Sequence, residues 1–158
     1  MSRAFVKEND DALPAVPERP TSPHPNLVTA EGLDAMLLAL NRAQIAHAAA
    51  WQKGDKAAMA AAARDMRYWE ARRASAQVVT PPADKSRVQF GLTVTLRRDG
   101  RDGGLGRQQT FRIVGEDEAD PSQGTISHVS PLARALFGKA VGDVVDVAGG
   151  EAEILAIK

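Results

Sequence analysis

The sequence predicts an α+β protein, in which an N-terminal antiparallel helical hairpin precedes an antiparallel sheet with one short helix. Three features support this class. Apolar residues recur every three or four positions between residues 33 and 76, which is the helical period. They alternate with polar residues from Val88 to Leu96, which is the strand period. Near the C-terminus, Gly149-Gly150 separates two short apolar runs, a pattern typical of a β-hairpin.

Composition limits the class of protein. A chain of 158 residues with 44% hydrophobic and 4% aromatic residues has an aliphatic core in one domain or two small ones. It has no cysteine, no apolar run long enough for a membrane span and no signal peptide, so we expect a cytoplasmic protein with no membrane contact. The formal net charge of zero argues against binding nucleic acid mainly through phosphates.

The first 28 residues differ in composition from the rest. They hold five of the nine prolines, and proline has a fixed φ and no backbone N–H. We therefore expect residues 1–28 to form an extended or disordered tail, with order near Pro23-His24-Pro25 where it enters the fold.

Residues 29–80 carry two helical patterns. Thr29 is a plausible N-cap, with Glu31 in the first turn. The first pattern comprises Leu33, Met36, Leu37, Leu40, Ala43, His47 and Ala50. Gly54-Asp55 ends it, and the second comprises Met59, Ala62, Met66, Trp69, Arg73 and Ala76. We expect an antiparallel hairpin with Trp69 in its core.

Residues 81–158 read as a small sheet. We predict strands over Val88–Leu96 and Gln109–Glu116, paired antiparallel across a glycine-rich loop from Asp99 to Gly106. Ser130-Pro131 begins a helix with a buried face of Leu132, Ala135 and Leu136, and Gly138 ends it. Strands over Val144–Val147 and Ala152–Ile157 complete the sheet.

The residues alone indicate little chemistry. The three histidines lie far apart, in different predicted elements, so they do not predict a metal site. The acidic run from Glu116 to Asp120 lacks the EF-hand pattern. On chemistry alone it is a solvated loop after a strand.

Several sequence blocks together are more specific. They are Phe111–Asp120, Ile126-Ser127, Ser130–Leu136, Lys139 and Val141–Asp143. Their order resembles the C-terminal domain of the bacterial GreA/GreB transcript-cleavage factors. The resemblance covers about residues 26–158 and implies a tail (1–28), a hairpin (29–80) and an FKBP-like C-terminal domain (81–158). It also implies binding to RNA polymerase core, with the hairpin entering the secondary channel.

The same resemblance suggests which residues bind polymerase. They are Glu116, Asp117, Glu118, Asp120, Ser130, Pro131 and Arg134. The acidic block lies either at the polymerase-facing surface or at the junction between the domains. Family members donate carboxylates to a Mg²⁺ ion of the polymerase active centre. We therefore expect no cofactor of the chain's own and no enzymatic activity.

The predicted hairpin tip departs from the family pattern Gly-Asp-Leu-Lys-Glu-Asn-Ala-Glu-Tyr. It keeps Gly54-Asp55, but the position of the second carboxylate holds Ala58, and Lys53 and Lys56 flank the remaining acid. Between the family-like anchors Thr29-x-x-Gly32 and Ser75–Val78 the chain is shorter by roughly eighteen residues, or about 13 Å per helix. Asp55 is thus the tip candidate in a short-hairpin member, with weak or no cleavage stimulation expected.

Alternatives remain open at this point. The chain could be a true transcript-cleavage elongation factor, or an interaction module with a different partner. The FKBP-like fold also raises a peptidyl-prolyl isomerase or chaperone, although that activity needs an aromatic-lined pocket and the C-terminal half offers only Phe90, Phe111 and Phe137. We expect a monomer. Indirect contact with transcript or DNA inside an elongation complex stays open.

Overall fold

A computed structural model describes residues 15–98 and 106–158. Helix α1 spans Ala30–Lys53 and helix α2 spans Lys56–Ser75. A two-stranded parallel sheet brackets them: β1 (Leu27–Val28) precedes α1 and pairs with β2 (Gln77–Val78) just after α2. The predicted helical hairpin is confirmed, and this pairing closes its base.

Local signals set the helix ends. The Thr29 hydroxyl accepts from the Gly32 N–H at 3.0 Å and caps α1. Gly54 ends α1 with φ of 65°, and the Asp55 carboxylate caps α2 by accepting from the Ala58 N–H at 3.0 Å. Thr29 and Gly54-Asp55 therefore set the helix ends, as the sequence predicts.

The helices meet through small and flexible side chains. The buried residues are Met36, Leu40, Ala43 and Ala50 on α1 and Met59, Ala60 and Ala62 on α2. Alanine at the contact lets the helix axes approach closely. One residue of the predicted stripe is wrong, because Leu37 lies at the edge of the contact and is 43% exposed.

The C-terminal part is a five-stranded sheet with strand order β5-β4-β3-β7-β6. Its strands are β3 (Thr93–Arg98), β4 (Arg107–Val114), β5 (Thr125–Ser127), β6 (Val144–Val147) and β7 (Gly150–Ile157). Helix α3 (Pro131–Leu136) packs on it, and two 3-10 turns, Glu116–Glu118 and Pro121–Gln123, lie between β4 and β5. The predicted α+β architecture is confirmed.

Two details of the sheet differ from expectation. The alternating residues Val88, Phe90 and Leu92 are buried, but the strand begins only at Thr93, because the backbone turns at Gly91 with φ of 85°. The sheet is also mixed, because β5 runs parallel to β4 while the other pairs are antiparallel. After the two 3-10 turns, β5 begins with Thr125 opposite Arg112 and runs in the same direction as β4.

Helix α3 seals one side of the core. Ser130 caps it, with Pro131 in the first turn, as predicted. Its fully buried residues are Ala133 and Leu136, whereas Leu132 and Ala135 of the predicted face are half-buried. The β6–β7 hairpin turns at positive-φ Gly149 and pairs Val147 with Gly150.

Parts of two predictions lie outside the described residues. These are the first fourteen residues of the tail and residues 99–105 of the glycine-rich loop. The described part of the tail, residues 15–26, contains no helix or strand. In the two described ranges, 15–98 and 106–158, we find no helix with both the length and the apolar character needed to cross a membrane.

Candidate functional site

The acidic block faces the base of the hairpin. Asp117 Oδ2 accepts from Arg72 Nε at 2.5 Å, and Asp117 Oδ1 accepts from the Tyr68 hydroxyl at 2.5 Å. Arg72 Nη2 donates to Asn26 Oδ1 at 2.6 Å, and the Asn26 amide donates to the Arg72 carbonyl at 2.7 Å. The Arg72 and Asp117 side chains are only 5% and 10% exposed. This buried ion pair joins α2, the tail and the sheet.

Glu118 forms a second link between the two halves. Its Oε2 accepts from the Thr29 N–H at 3.0 Å and the Gly115 N–H at 3.1 Å, and its Oε1 accepts from the Thr29 hydroxyl. A carboxylate near a helix N-terminus also stabilises the helix dipole. Gly32 makes room for it, since a Cβ there would lie 2.0 Å from the Glu118 Cδ.

The proline-rich segment lies along α2 as a strap, which we define as residues 15–26. Arg19 sits over the Tyr68 ring, 3.7 Å from its centroid. Glu18 accepts from Arg67 Nη2 at 2.5 Å. Burial first, and then the hydrogen bond to Asp117, raise the pKa of Tyr68 to about 12. Tyr68 therefore remains a hydrogen-bond donor across the physiological range.

Trp69 also lies under this strap. It is half-buried, packs edge-on against Tyr68 at 4.9 Å between ring centroids, and lies 5.0 Å from the Arg19 guanidinium carbon. The prediction of a core tryptophan is therefore only partly right, because Trp69 is half-buried and Arg19 of the tail lies beside its ring.

A buried histidine adjoins this junction. His128 is 9% exposed, packs edge-on against Phe90 at 5.6 Å, and its Nε2 has no hydrogen-bond partner in the structure. Burial lowers its pKa, and the nearby charges of His24, Arg134 and Arg72 act in the same direction, while Glu116 opposes them. The imidazole is held neutral at the interface.

The hairpin tip is simple by comparison. Asp55 is exposed, and one oxygen of its carboxylate is already committed to capping α2. Lys53 and Lys56 flank it, and Ala57 and Ala58 follow, all exposed. Nowhere in the part of the chain that the structure describes do three or more His, Cys, Asp or Glu side chains cluster as a metal ion requires.

An apolar groove of about 520 Å³ opens beside α3. Its residues are Arg98, Phe111, Pro121, Ile126, Ser130, Pro131, Leu132, Asp146, Val147 and Ala148. Charged Arg98 and Asp146 contribute to an otherwise largely apolar lining. Arg134, exposed on α3, has Nη2 3.4 Å from Nε2 of His24 in the strap. A concave and largely apolar surface with a few charged groups is the kind of surface at which proteins bind ligands.

The predicted site residues therefore separate into three places. Asp117 and Glu118 lie in the junction and are committed to contacts within the chain. Asp120 is exposed, and it caps the second 3-10 turn by accepting from the Ser122 N–H at 3.0 Å. The block formed by Ser130, Pro131 and Arg134 lies on the α3 side. Whether any of these side chains binds polymerase stays a prediction.

Sequence reasoning missed Arg72, Tyr68 and Asn26. The helical pattern predicted from the sequence continues from Trp69 to Arg73. In the structure the buried residue is Arg72, three residues after Trp69. The spacing allowed either residue, and a buried arginine is uncommon without a partner. The acidic run Glu116–Glu118 was the available sign that such a partner exists.

Known proteins resemble the C-terminal half of this chain most clearly. The family model described as "Transcription elongation factor, GreA/GreB, C-term" matches residues 83–158. The chain is 48% identical over 88 residues to transcription elongation factor GreA of Alkalilimnicola ehrlichii, covering 53% of each protein. It is 55% identical over 64 residues to that of Hyphomonas neptunium, covering 40% of this chain and 38% of the relative. The chain thus spans about half or less of the length of these curated relatives.

Solved structures show a more distant likeness. GreA factor homolog 1 of Thermus thermophilus is 22% identical, with 85% of this chain and 99% of that chain covered and a TM-score of 0.38. GreA/GreB from Nitrosomonas europaea is 21% identical, with 85% and 98% covered and a TM-score of 0.39. The resemblance to the GreA/GreB family therefore depends on the match of residues 83–158.

Proposed function

We propose that the protein binds RNA polymerase core and regulates elongation, because residues 83–158 match the model of the GreA/GreB C-terminal domain. The domain match is the observation that carries this proposal. In our proposal the sheet domain docks at the rim of the secondary channel and directs the hairpin into it. Regulation then follows from occupancy of the channel, without chemistry by the protein itself.

The groove beside α3 is the docking surface we favour. It combines apolar lining with Ser130 and Pro131, two residues of the block that resembles the family, and Arg134 of the same block lies one turn after Pro131 on α3. Apolar pockets with a few charged groups suit the anchoring residues of a protein partner. Asp117 and Glu118 support docking indirectly in this proposal, because they fix the hairpin relative to the groove.

Binding of purified core polymerase tests this surface. We expect micromolar or tighter affinity for the wild-type chain and a loss of about tenfold, or 1.4 kcal/mol, for Arg134→Glu. Lys85→Glu is the matched control, a charge reversal at another exposed basic residue of the same domain. If both variants bind like wild type, the groove is not the docking surface. If the wild-type chain does not bind at all, the proposed function fails.

We further propose that transcript-cleavage stimulation is weak or absent. The tip supplies one carboxylate, which already caps α2, and the flanking lysines would repel a metal ion. Helix α2 has 20 residues, or about 30 Å, and the shortfall of about 13 Å relative to the family far exceeds the error that catalytic positioning tolerates.

Cleavage in backtracked complexes is the direct measurement. We expect almost no stimulation by the wild-type chain, and no gain from Ala58→Glu, which restores a second tip carboxylate without restoring length. A gain would show that the tip does reach the metal. Strong wild-type cleavage that disappears in Asp55→Ala would establish a true cleavage factor instead.

Competition gives a third test. A shared docking domain predicts that this protein displaces a full-length Gre factor from polymerase and slows cleavage by that factor. Arg134→Glu should compete less well, whereas Lys85→Glu should compete normally. Polymerase carrying both proteins at once would contradict a shared site.

An isomerase function has no support in the structure. Of the three C-terminal phenylalanines, Phe90 is buried against His128 and Phe137 packs against the core, so only Phe111 lines the groove. One half-buried aromatic ring does not form the aromatic-lined pocket that isomerisation needs. The relatives described above are elongation factors.

A further inference from the structure

The strap runs along α2 in the direction of the hairpin tip. At one end, the Asn26 amide donates to the Ser75 hydroxyl at 3.2 Å, beside the last residue of α2. Earlier in the chain, Glu18 Oε1 accepts from Arg67 Nη2 at 2.5 Å. The step from residue 26 back to residue 18 thus moves about 12 Å, or about two turns, from the C-terminal end of α2 towards the tip. The chain that precedes the strap is therefore aimed at the tip.

The strap lies on the face of α2 opposite α1. Met59 and Ala62 are buried in the contact between the two helices. Tyr68, which the strap covers, comes nine residues after Met59, or about two and a half turns, and so points to the other side. Ala61 and Ala57, seven and eleven residues before Tyr68, continue the same face towards the tip. This alanine stripe is half-buried at Ala61 and exposed at Ala57, and its small side chains leave room for an extended chain.

The sequence before the strap is complementary to this surface. Leu13 comes first when the chain is followed from the strap towards the tip, and Asp10-Asp11 come next. On the hairpin the alanine stripe comes first, and Lys53 and Lys56, both exposed, follow at the tip. An apolar residue and then acids thus face an apolar stripe and then bases. Opposite charges in matching order favour one register of the contact.

The chain is also long enough to make this contact. Lys56 is eleven residues from Arg67, which is about 17 Å along the helix. Asp11 is seven residues before Glu18, the partner of Arg67, and seven extended residues span up to about 23 Å. Leu13, five residues before Glu18, reaches up to about 16 Å by the same measure, which is far enough for the alanine stripe.

We propose that the N-terminal segment continues along α2 beyond the strap and covers the hairpin tip, with Leu13 on the alanine stripe and Asp10-Asp11 at Lys53 and Lys56. Asp55, between the two lysines, directs its carboxylate to the start of α2, where it caps the helix. Exposed ion pairs are individually weak, but the strap tethers the segment at an effective concentration on the order of millimolar. The contact is therefore reversible and weakens with salt. While it lasts, the segment competes with any other anionic partner for the tip lysines.

Carbodiimide crosslinking of the full chain, read by mass spectrometry, tests the contact. The reagent joins a carboxylate to an amine without a spacer, so it reports groups that touch. At low salt we expect crosslinks from Asp10-Asp11 to Lys53 or Lys56 within one molecule. Crosslinks from the same acids to Lys139, an exposed lysine of the sheet domain, should be several-fold fewer.

A variant of the stripe tests whether α2 guides the segment. Ala57→Glu adds a carboxylate that repels the acidic segment and fills the stripe, so the yield of tip crosslinks should fall several-fold. Ala48→Glu is the matched control, because Ala48 is also exposed but lies on α1. Its tip crosslinks should match those of the wild-type chain. Circular dichroism checks that both variants keep their helices.

Paired cysteines test the register, since the chain has no cysteine of its own. Leu13→Cys combined with Ala57→Cys should form a disulfide within one molecule under mild oxidation, because a disulfide needs Cα atoms within about 7 Å. Leu13→Cys combined with Ala48→Cys should not.

Three results would overturn the proposal. The first is an absence of crosslinks between Asp10-Asp11 and the tip lysines. The second is an equal yield of crosslinks to Lys139, which would show that the segment has no preferred place on the molecule. The third is a loss of the tip crosslinks on dilution, which would assign them to contacts between molecules. None of these results bears on polymerase binding, because every experiment uses the free protein.

Discussion

The base and the tip of the helical hairpin use charge in opposite ways. At the base, Arg72 and Asp117 are buried, and each finds several partners from distant parts of the chain. At the tip, Asp55 is exposed, and its carboxylate caps α2 by accepting from the Ala58 N–H three residues along the chain. The contrast shows that buried charges hold the base of the hairpin against the sheet, whereas the tip offers one exposed carboxylate that already caps a helix.

Burial explains why the two regions differ in importance for stability. A buried charge must be paired, and removing one partner leaves the other without water or counter-ion. An exposed cap is replaced by water at small cost. Changes at the base should therefore affect the whole fold, whereas changes at the tip should stay local.

The largest effect should come from Asp117→Ala. It leaves the Arg72 guanidinium buried without its carboxylate, and we expect a loss of about 3–5 kcal/mol in the free energy of unfolding. Urea denaturation measures it. The double variant Arg72→Met/Asp117→Leu should recover part of the loss, because the guanidinium leaves together with Asp117, while Glu116, 3.9 Å from Arg72, loses its counter-ion. A loss under about 1 kcal/mol for Asp117→Ala would mean that the base is not held by this pair.

Glu118→Ala should come next. It leaves the backbone N–H groups of Thr29 and Gly115 without acceptors, at about 1–3 kcal/mol for each buried donor. Gly32→Ala should reproduce part of this loss, because its methyl group displaces the same carboxylate. If Gly32→Ala is neutral, Glu118 can move aside and the link is looser than the structure indicates.

At the tip, Asp55→Ala should cost about 1 kcal/mol, the usual value for losing a helix N-cap. Asp55→Asn should be nearly neutral, since an amide oxygen also caps. Unfolding in urea again gives the measurement. A loss as large as that of Asp117→Ala would remove the distinction between base and tip.

The smallest effect should be a pH dependence located at the base. The folded state lowers the pKa of His128 below its ordinary 6.5, so its neutral form is the stable one in the fold. As pH falls below about 6.5 the unfolded chain takes up the proton first, and stability declines. His128→Gln should flatten this decline in unfolding experiments between pH 5 and 8. An unchanged slope in His128→Gln would assign the decline to other groups.

Much of the fold was predictable because its signals are local. Thr29, Gly54-Asp55, Ser130-Pro131 and Gly149-Gly150 each act on their own backbone within three or four residues. The family resemblance of residues 111–143 likewise needed no structure. The single carboxylate of the hairpin tip, Asp55, could also be predicted from the sequence, because the tip residues are adjacent in the chain.

Other features depended on residues far apart in the chain. The alternation at Val88–Leu92 correctly indicated burial but wrongly indicated a strand, because a turn at Gly91 keeps the same side chains inside. The parallel placement of β5 depends on the path of two 3-10 turns, which no periodicity encodes.

What the sequence by itself determined was the two long helices with their ends, helix α3, four of the sheet strands, and the resemblance of residues 111–143 to a known family. Only the tertiary structure decided that Asp117 and Glu118 face inward, that Arg72 rather than Arg73 is buried, and that the proline-rich strap covers Tyr68 and Trp69. The physical reason is that the identity of a charged residue does not show which distant residue it will pair with in the fold. Arg72 and Asp117 are 45 residues apart, and only packing of the hairpin base against the sheet brings them to 2.5 Å.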